Sequence, residues 1–123
     1  MSIEENKENN LPYSSVLEIE CSKLVVICGQ VAEDENEELV GDDIETQART
    51  TLDNCIKQLK KVNCSLDDVF KVNVYISDLS VWDRFNQIYK TYFKNKPLPV
   101  RTTIQAVLFE GYLVEIEMWA SKK

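Results

Sequence analysis

The chain has 123 residues, of which 44% are hydrophobic and 28% charged, a composition typical of one soluble globular domain. Asp and Glu number 21 against 14 Lys and Arg, and the net charge of −7 disfavours nucleic-acid binding because little counterion release is gained on a phosphate backbone. There is no histidine, which excludes Ser-His and Cys-His catalytic arrangements and the usual His-containing zinc sites.

The N-terminal residues 1–10 are polar and acidic, so they predict a flexible tail and not a secretory signal. No apolar run approaches the roughly 20 residues of a membrane helix, and no membrane partner is expected. The acidic run at 33–38 lacks the spacing and internal glycine of a calcium loop, so no metal is expected. Because Cys21, Cys28 and Cys55 fall at apolar positions, we expect buried, reduced thiols and a cytoplasmic protein.

The first half of the chain predicts two strands and a helix. Val16–Cys21 alternates apolar and acidic residues and Leu24–Cys28 is continuously apolar, so we expect a strand at each. Gly29 follows directly, where backbone can bend or come close to a ligand. From Ile44 to about Val62 the apolar spacing is helical, with acidic residues at its start and lysines near its end, as the helix dipole favours.

The second half predicts a strand over Val69–Ile76, a helix that begins near Ser80, and two final strands. The final strands, Arg101–Leu108 and Val114–Ala120, flank a turn and are expected to form an antiparallel hairpin. The order of elements predicts an α+β fold, with a single mixed β-sheet and two helices packed on one of its faces.

The other face of the predicted hairpin is too polar for a core and too aromatic for a simple solvent-exposed surface. We expect on it Arg101, Thr103, Gln105, Glu115, Glu117 and Trp119. Burial against other copies of the same chain would explain the tryptophan. Charge at such a place favours a bound ligand.

Five short stretches then follow one another in a recognisable order and spacing. They are Cys28-Gly29-Gln30, Asp67-Asp-Val69 leading to Tyr75-Ile-Ser-Asp-Leu79, Phe85-Asn-Gln-Ile-Tyr89, Pro99-Val-Arg101, and Val114-Glu-Ile-Glu117. In this arrangement the chain resembles the reactive intermediate deaminase (Rid, YjgF-like) family. The resemblance runs from about residue 11 to residue 120 and indicates a single domain over residues 11–123.

The resemblance implies a chorismate-mutase-like fold and a homotrimer in which the sheets form a central β-barrel, with ligand clefts between subunits. The family's archetypal reaction is the hydrolysis of reactive enamine and imine acids, such as 2-aminoacrylate or 2-iminopropanoate, to 2-keto acids and ammonia. The resemblance therefore implies a hydrolase similar to 2-iminobutanoate/2-iminopropanoate deaminase that acts on small carboxylates. No metal or organic cofactor is implied.

The resemblance also assigns expected roles to five residues. Arg101 matches the arginine that grips the substrate carboxylate, which suits a guanidinium because it can make two parallel charge-assisted hydrogen bonds. Glu115 matches the glutamate that holds the attacking water. Tyr13 and the backbone around Gly29 match the border of the cleft, and Asn86 begins the family's Asn-x-x-Tyr motif and is counted among the substrate-binding residues.

Two departures from the family pattern bear on substrate range. Residues 11–15 read Leu-Pro-Tyr-Ser-Ser where Gly-Pro-Tyr-Ser-Gln is usual, and Thr103 stands where a cysteine is frequent. In the predicted hairpin, Arg101 would also lie about 13 Å along the strands from Glu115. A twist, a bulge or a neighbouring subunit would then have to bring the two residues to one substrate.

Two other functions stay open at this point. The same cleft could bind a small carboxylate without turnover and regulate a partner protein. RNA cleavage, an activity attributed to some family members, is less favoured because the chain is acidic and has neither a histidine nor a basic run.

Overall fold

The computed structural model describes residues 11–122, so the expected tail at 1–10 lies outside the described residues. This part of the chain forms a single mixed sheet and two helices, which confirms the predicted α+β class. In chain order the elements are β1 (Lys23–Gln30), α1 (Ile44–Lys60), β2 (Val69–Ile76), α2 (Trp82–Tyr92), β3 (Val100–Gln105) and β4 (Val114–Lys122). No helix within residues 11–122 is long and apolar enough to cross a membrane.

The strands lie in the order β1-β4-β2-β3. β4 is antiparallel to both of its neighbours, whereas β2 and β3 are parallel and are connected through α2, as a parallel pair requires. The predicted hairpin between the last two strands is therefore wrong. The crossover through α2 places β3 at the edge of the sheet, and the loop at 106–113 carries the chain past β2 to its far side.

The predicted strand Val16–Cys21 is also wrong, because this segment has no regular secondary structure. Nearby, Ser14 forms an isolated parallel bridge to Val100, and its backbone N–H donates to the carbonyl of Pro99 at 3.0 Å. Val16 is 81% exposed, so the alternation of apolar and acidic side chains reflects an exposed segment and not a half-buried strand.

α1 begins where the acidic residues predicted it. Asp43 caps the helix, since its carboxylate accepts hydrogen bonds from both the N–H and the hydroxyl of Thr46, at 2.9 and 3.0 Å. One turn later the buried Gln47 joins the helix to the loop before β4. Its amide donates to the carbonyl of Gly111 at 2.8 Å and accepts from the N–H of Leu113 at 2.8 Å.

The core lies between the helices and one face of the sheet. β4 contributes Val114, Ile116, Met118 and Ala120, all fully buried as predicted, and β2 contributes Val72, Val74 and Ile76. We call the other side of the sheet the open face. It carries Leu24, Val26, Lys71, Asn73, Tyr75, Thr102, Ile104, Glu115, Glu117 and Trp119. The prediction that Glu115, Glu117 and Trp119 face away from the core is thus confirmed.

The cysteines are less buried than expected. Cys21 and Cys28 are exposed, whereas Cys55 and Cys64 are buried. Cys21 belongs to the irregular segment before β1, and Cys28 lies at the start of a register shift in that strand, so neither is covered by the helices. Burial raises the pKa of the Cys55 thiol to about 12.

Candidate functional site

Arg101 is the most unusual side chain of the core. It is only 9% exposed, and its Cζ lies within 6 Å of the centroids of four aromatic rings. The distances are 4.6 Å to Tyr89, 5.5 Å to Tyr13, 5.6 Å to Phe85 and 5.9 Å to Trp82. We call Arg101 and these four rings the arginine cage. Ring faces attract a cation and so offset part of its desolvation.

Among residues 11–122, the guanidinium has no anionic partner, although such burial normally demands one. Its Nε and Nη1 are buried without a hydrogen-bond partner, and no carboxylate among residues 11–122 is within ion-pairing distance. Burial lowers the pKa of Arg101. Because an unpaired charge is costly in a protein interior, these N–H groups are well suited to receive a carboxylate.

The cage draws its rings from two parts of the chain. Three come from α2, where residues 82, 85 and 89 share one face at helical spacing. Tyr13 is held near Arg101 because the next residue, Ser14, bonds to the carbonyls of Leu98 and Pro99 just before β3. Tyr13 also lines a cleft of about 520 Å³, to which Arg101 itself does not contribute. A cleft of about 550 Å³ elsewhere contains neither Arg101 nor Glu115.

Other unpaired polar atoms lie on the same side of the sheet. Asn86 is on the α2 face that carries the cage and is 4% exposed, and its Oδ1 has no partner. The hydroxyls of Tyr89 and Thr103 are likewise buried and unpaired. Burial raises the pKa of Tyr89. The motif Phe85-Asn-Gln-Ile-Tyr89 contains two of the cage rings, whereas Trp82 lies outside it; a spacing of three and seven residues places Trp82 on the same helix face.

Gly29 and Glu115 form a second group, on the open face. The register of β1 shifts between Ile27 and Gln30, as a β-bulge does, and Gly29 lies within this irregularity. A Cβ built on Gly29 would lie 2.0 Å from Oε2 of Glu115, so the carboxylate rests against the glycine backbone. Only a residue without a side chain permits this approach. We call these two residues the Gly29–Glu115 pair.

The structure does not bring the arginine cage and the Gly29–Glu115 pair together within one chain. Arg101 pairs with Val72, which faces the helices, whereas Glu115 pairs with Tyr75 on the open face. The expectation that Arg101, Thr103 and Gln105 share a face with Glu115 is therefore wrong. Two strand spacings and three residues separate Arg101 from Glu115, or about 14 Å between their Cα atoms, and their side chains point to opposite faces.

Two polar residues that the sequence predicted beside Arg101 and Glu115, but not as site residues, have structural partners. On the open face, Glu117 accepts hydrogen bonds from the hydroxyl of Tyr75 at 2.6 Å and from the amide of Asn73 at 3.1 Å. The first of these bonds raises the pKa of Tyr75. Gln105 accepts from the N–H of Leu79 at 2.9 Å, which ties the end of β3 to the turn before α2. In each side chain, one oxygen atom thus has a structural role.

The family model described as Endoribonuclease L-PSP matches residues 5–122, nearly the whole chain. The chain belongs to the Rid (YjgF) family. Among its relatives, a RutC family protein of Sulfurisphaera tokodaii is 34% identical over 90% of this chain and 88% of its own length. A Mus musculus protein named 2-iminobutanoate/2-iminopropanoate deaminase is 35% identical over 86% of this chain and 78% of its own.

Solved structures support membership of the Rid family. The crystal structure of E. coli TdcF with bound serine superposes with a TM-score of 0.75 at 27% identity, covering 85% of each chain. The YyfA protein of Yersinia pestis, assigned to the conserved Rid family, gives a TM-score of 0.78 at 31% identity, covering 90% of this chain and 88% of that one. The YjgF-type fold expected from the sequence motifs is thereby confirmed.

Proposed function

We propose that this protein hydrolyses reactive enamine and imine acids of the 2-aminoacrylate and 2-iminopropanoate type to 2-keto acids and ammonia. The observation that carries the proposal is the buried guanidinium of Arg101, whose Nε and Nη1 have no partner and suit a carboxylate. The name of the mouse relative, at 35% identity, supports the same reaction.

The chemistry needs little more than positioning and one carboxylate. An enamine acid first takes a proton from solvent at its CH₂ carbon and becomes the protonated imine. The oxygen of water bonds to the imine carbon while the C=N π electrons move to nitrogen, and Glu115, which orients the water, takes one of its protons. Glu115 then returns this proton to the nitrogen of the carbinolamine, and as ammonia leaves, the hydroxyl proton is lost to solvent and the C=O bond forms. A positioned general base contributes about 10²- to 10⁴-fold, which is within reach of a site without histidine.

We infer that each site is shared by two copies of the chain. Within one chain the arginine cage and the Gly29–Glu115 pair lie on opposite faces of the sheet, so a small substrate cannot contact both. A homotrimer with the open faces turned inward as a barrel would supply the second half. The open face is suited to burial, because Leu24 and Val26 are 60% and 57% exposed and Trp119 lies beside them.

A binding module without turnover is the second candidate. The structure of E. coli TdcF with bound serine shows that a protein of similar fold holds a small amino acid. In a pure binding module, Glu115→Gln would leave function intact. In the proposed enzyme it would lower turnover about 10²-fold, while Arg101→Ala would weaken ligand binding as well.

The proposal is tested by a coupled assay. A dehydratase generates 2-aminoacrylate in place, and the appearance of pyruvate is followed with and without this protein. We expect acceleration by the wild-type chain and by Arg49→Ala, an exposed arginine that serves as the matched control, but none by Arg101→Ala. No acceleration by an intact assembly that still binds pyruvate would refute hydrolysis and favour the binding module.

The description of the family model raises RNA cleavage, which the same preparation can test. The net charge of −7 and the absence of histidine argue against it. We expect intact RNA to survive incubation with purified protein. Degradation that Arg101→Ala abolishes would overturn the proposed function.

A further inference from the structure

Asn86 has no role in the reaction as proposed above, yet its carbonyl oxygen is buried and unpaired. We propose that this oxygen accepts a hydrogen bond from the nitrogen of the acid that Arg101 holds, so that the site prefers carboxylates bearing an N–H donor over keto acids of the same shape. This inference rests on the proposed carboxylate site at Arg101. It adds what the site recognises beyond the carboxylate.

Asn86 is placed to act together with the arginine cage. Helical spacing puts it on the same face of α2 as Trp82 and Tyr89, and it is adjacent in sequence to Phe85. The rings of all three of these neighbours approach Arg101 within 6 Å. The side chain is 4% exposed, so bulk water does not satisfy its amide oxygen.

The unpaired atoms define what a complementary ligand must carry. Nε and Nη1 of Arg101 are donors and need an acceptor, whereas Oδ1 of Asn86 is an acceptor and needs a donor. They do not bond to each other. A carboxylate satisfies the arginine, but a neighbouring ketone would bring a second acceptor towards Asn86. An imine or amine places an N–H there instead.

The physical consequence is discrimination between substrate and product. Leaving a buried acceptor unpaired costs more than an average hydrogen bond gains, so we expect about tenfold tighter binding of the N–H-bearing acid. Once the nitrogen has departed as ammonia, the keto acid loses this hydrogen bond. The same residue therefore favours substrate binding and product release.

Oxamate and pyruvate are the matched probes, because both are planar 2-oxo carboxylates and differ by an amide NH₂ in place of a methyl group. Dissociation constants for the full-length protein are measured by titration calorimetry. We expect oxamate to bind about tenfold more tightly than pyruvate. In Asn86→Leu, which keeps the branched shape of the side chain and removes the acceptor, the two constants should become equal.

Two further variants separate the possible failures. Arg101→Ala should lose both ligands, whereas Arg49→Ala, which removes an exposed arginine outside the site, should keep the preference for oxamate. If the wild type binds the two acids equally, prefers pyruvate, or keeps its preference in Asn86→Leu, the inference is overturned while the carboxylate site stands. If the wild type binds neither acid, the proposed function itself fails.

Discussion

If each site is shared by two copies, two inactive variants should restore activity to each other. Arg101→Ala lacks the proposed carboxylate anchor and keeps Glu115, whereas Glu115→Gln lacks the proposed base and keeps Arg101. The reason to expect rescue is the separation of about 14 Å and the opposite orientation of the two side chains within one sheet. A mixed trimer contains sites in which each neighbour supplies the intact half.

The size of the rescue follows from counting. In a random equal mixture, half of the arginine cages and half of the adjacent Gly29–Glu115 pairs are intact, so about a quarter of all sites contain both. The variants are refolded together from urea, and keto-acid formation is measured in the coupled assay. Each variant refolded alone gives the baseline.

A second mixture calibrates the exchange of subunits. An equal mixture of wild type and the double variant Arg101→Ala/Glu115→Gln, refolded together, should have about a quarter of the activity of the same total amount of wild-type chain if sites are shared, and about half if each site belongs to one copy. If the first mixture stays at the baseline while the second has half activity, the inference that each site is shared by two copies is refuted.

Three other perturbations have defined outcomes. Gly29→Ala should push the Glu115 carboxylate aside and lower the turnover measured in the coupled assay about 10²-fold. The unfolding midpoint should change little, because the displaced atom is the end of a flexible side chain. A fully active variant would contradict the role of the Gly29–Glu115 pair. Hydrogen bonds from Thr46 hold the pKa of Asp43 below its usual 3.8, so Asp43→Ala should lower the thermal midpoint of unfolding at pH 7. The difference from wild type should shrink as the pH falls below 3.8 towards the folded-state pKa. A difference that does not depend on pH would exclude stabilisation by a charged cap. Arg101→Met should abolish activity and yet stabilise the protein, because it removes an unpaired buried charge from among aromatic rings. The free energy of unfolding, measured by urea denaturation, should rise by about 1 to 3 kcal/mol. A less stable variant would contradict the cost assigned to that charge.

The elements that the sequence predicted well are those in which one periodicity accounts for every residue. α1 was expected from Ile44 and begins there, since its acidic start includes the cap and its apolar stripe is continuous. β2 was expected over Val69–Ile76 and has those bounds. The buried residues of β4 follow from strict alternation in the same way. In each case the signal is local.

The pairing of strands could not be read from local pattern. Two consecutive strands with a turn between them favour a hairpin, and nothing within either strand indicates that β2 will lie between them. The face of β3 was misjudged for a related reason. Thr102 and Ile104 look more apolar than Arg101 and Thr103, yet the latter pair faces the helices because α2 offers rings, and not aliphatic side chains, at the edge of the sheet.

The burial of the candidate site residues was misjudged for the same reason. A sequence pattern assigns polar residues to solvent, and it fails where function requires a polar group inside the protein. Motif resemblance predicted that Arg101 matters, but neither motifs nor periodicity could show that it is buried without a counter-charge among residues 11–122, or that Asn86 is buried and unpaired there as well. Both features weaken the folded chain, and aromatic contacts recover only part of the loss. The proposed substrate would explain both features, because one small acid that bears a carboxylate and an N–H would satisfy the donors of Arg101 and the acceptor of Asn86 while it is bound.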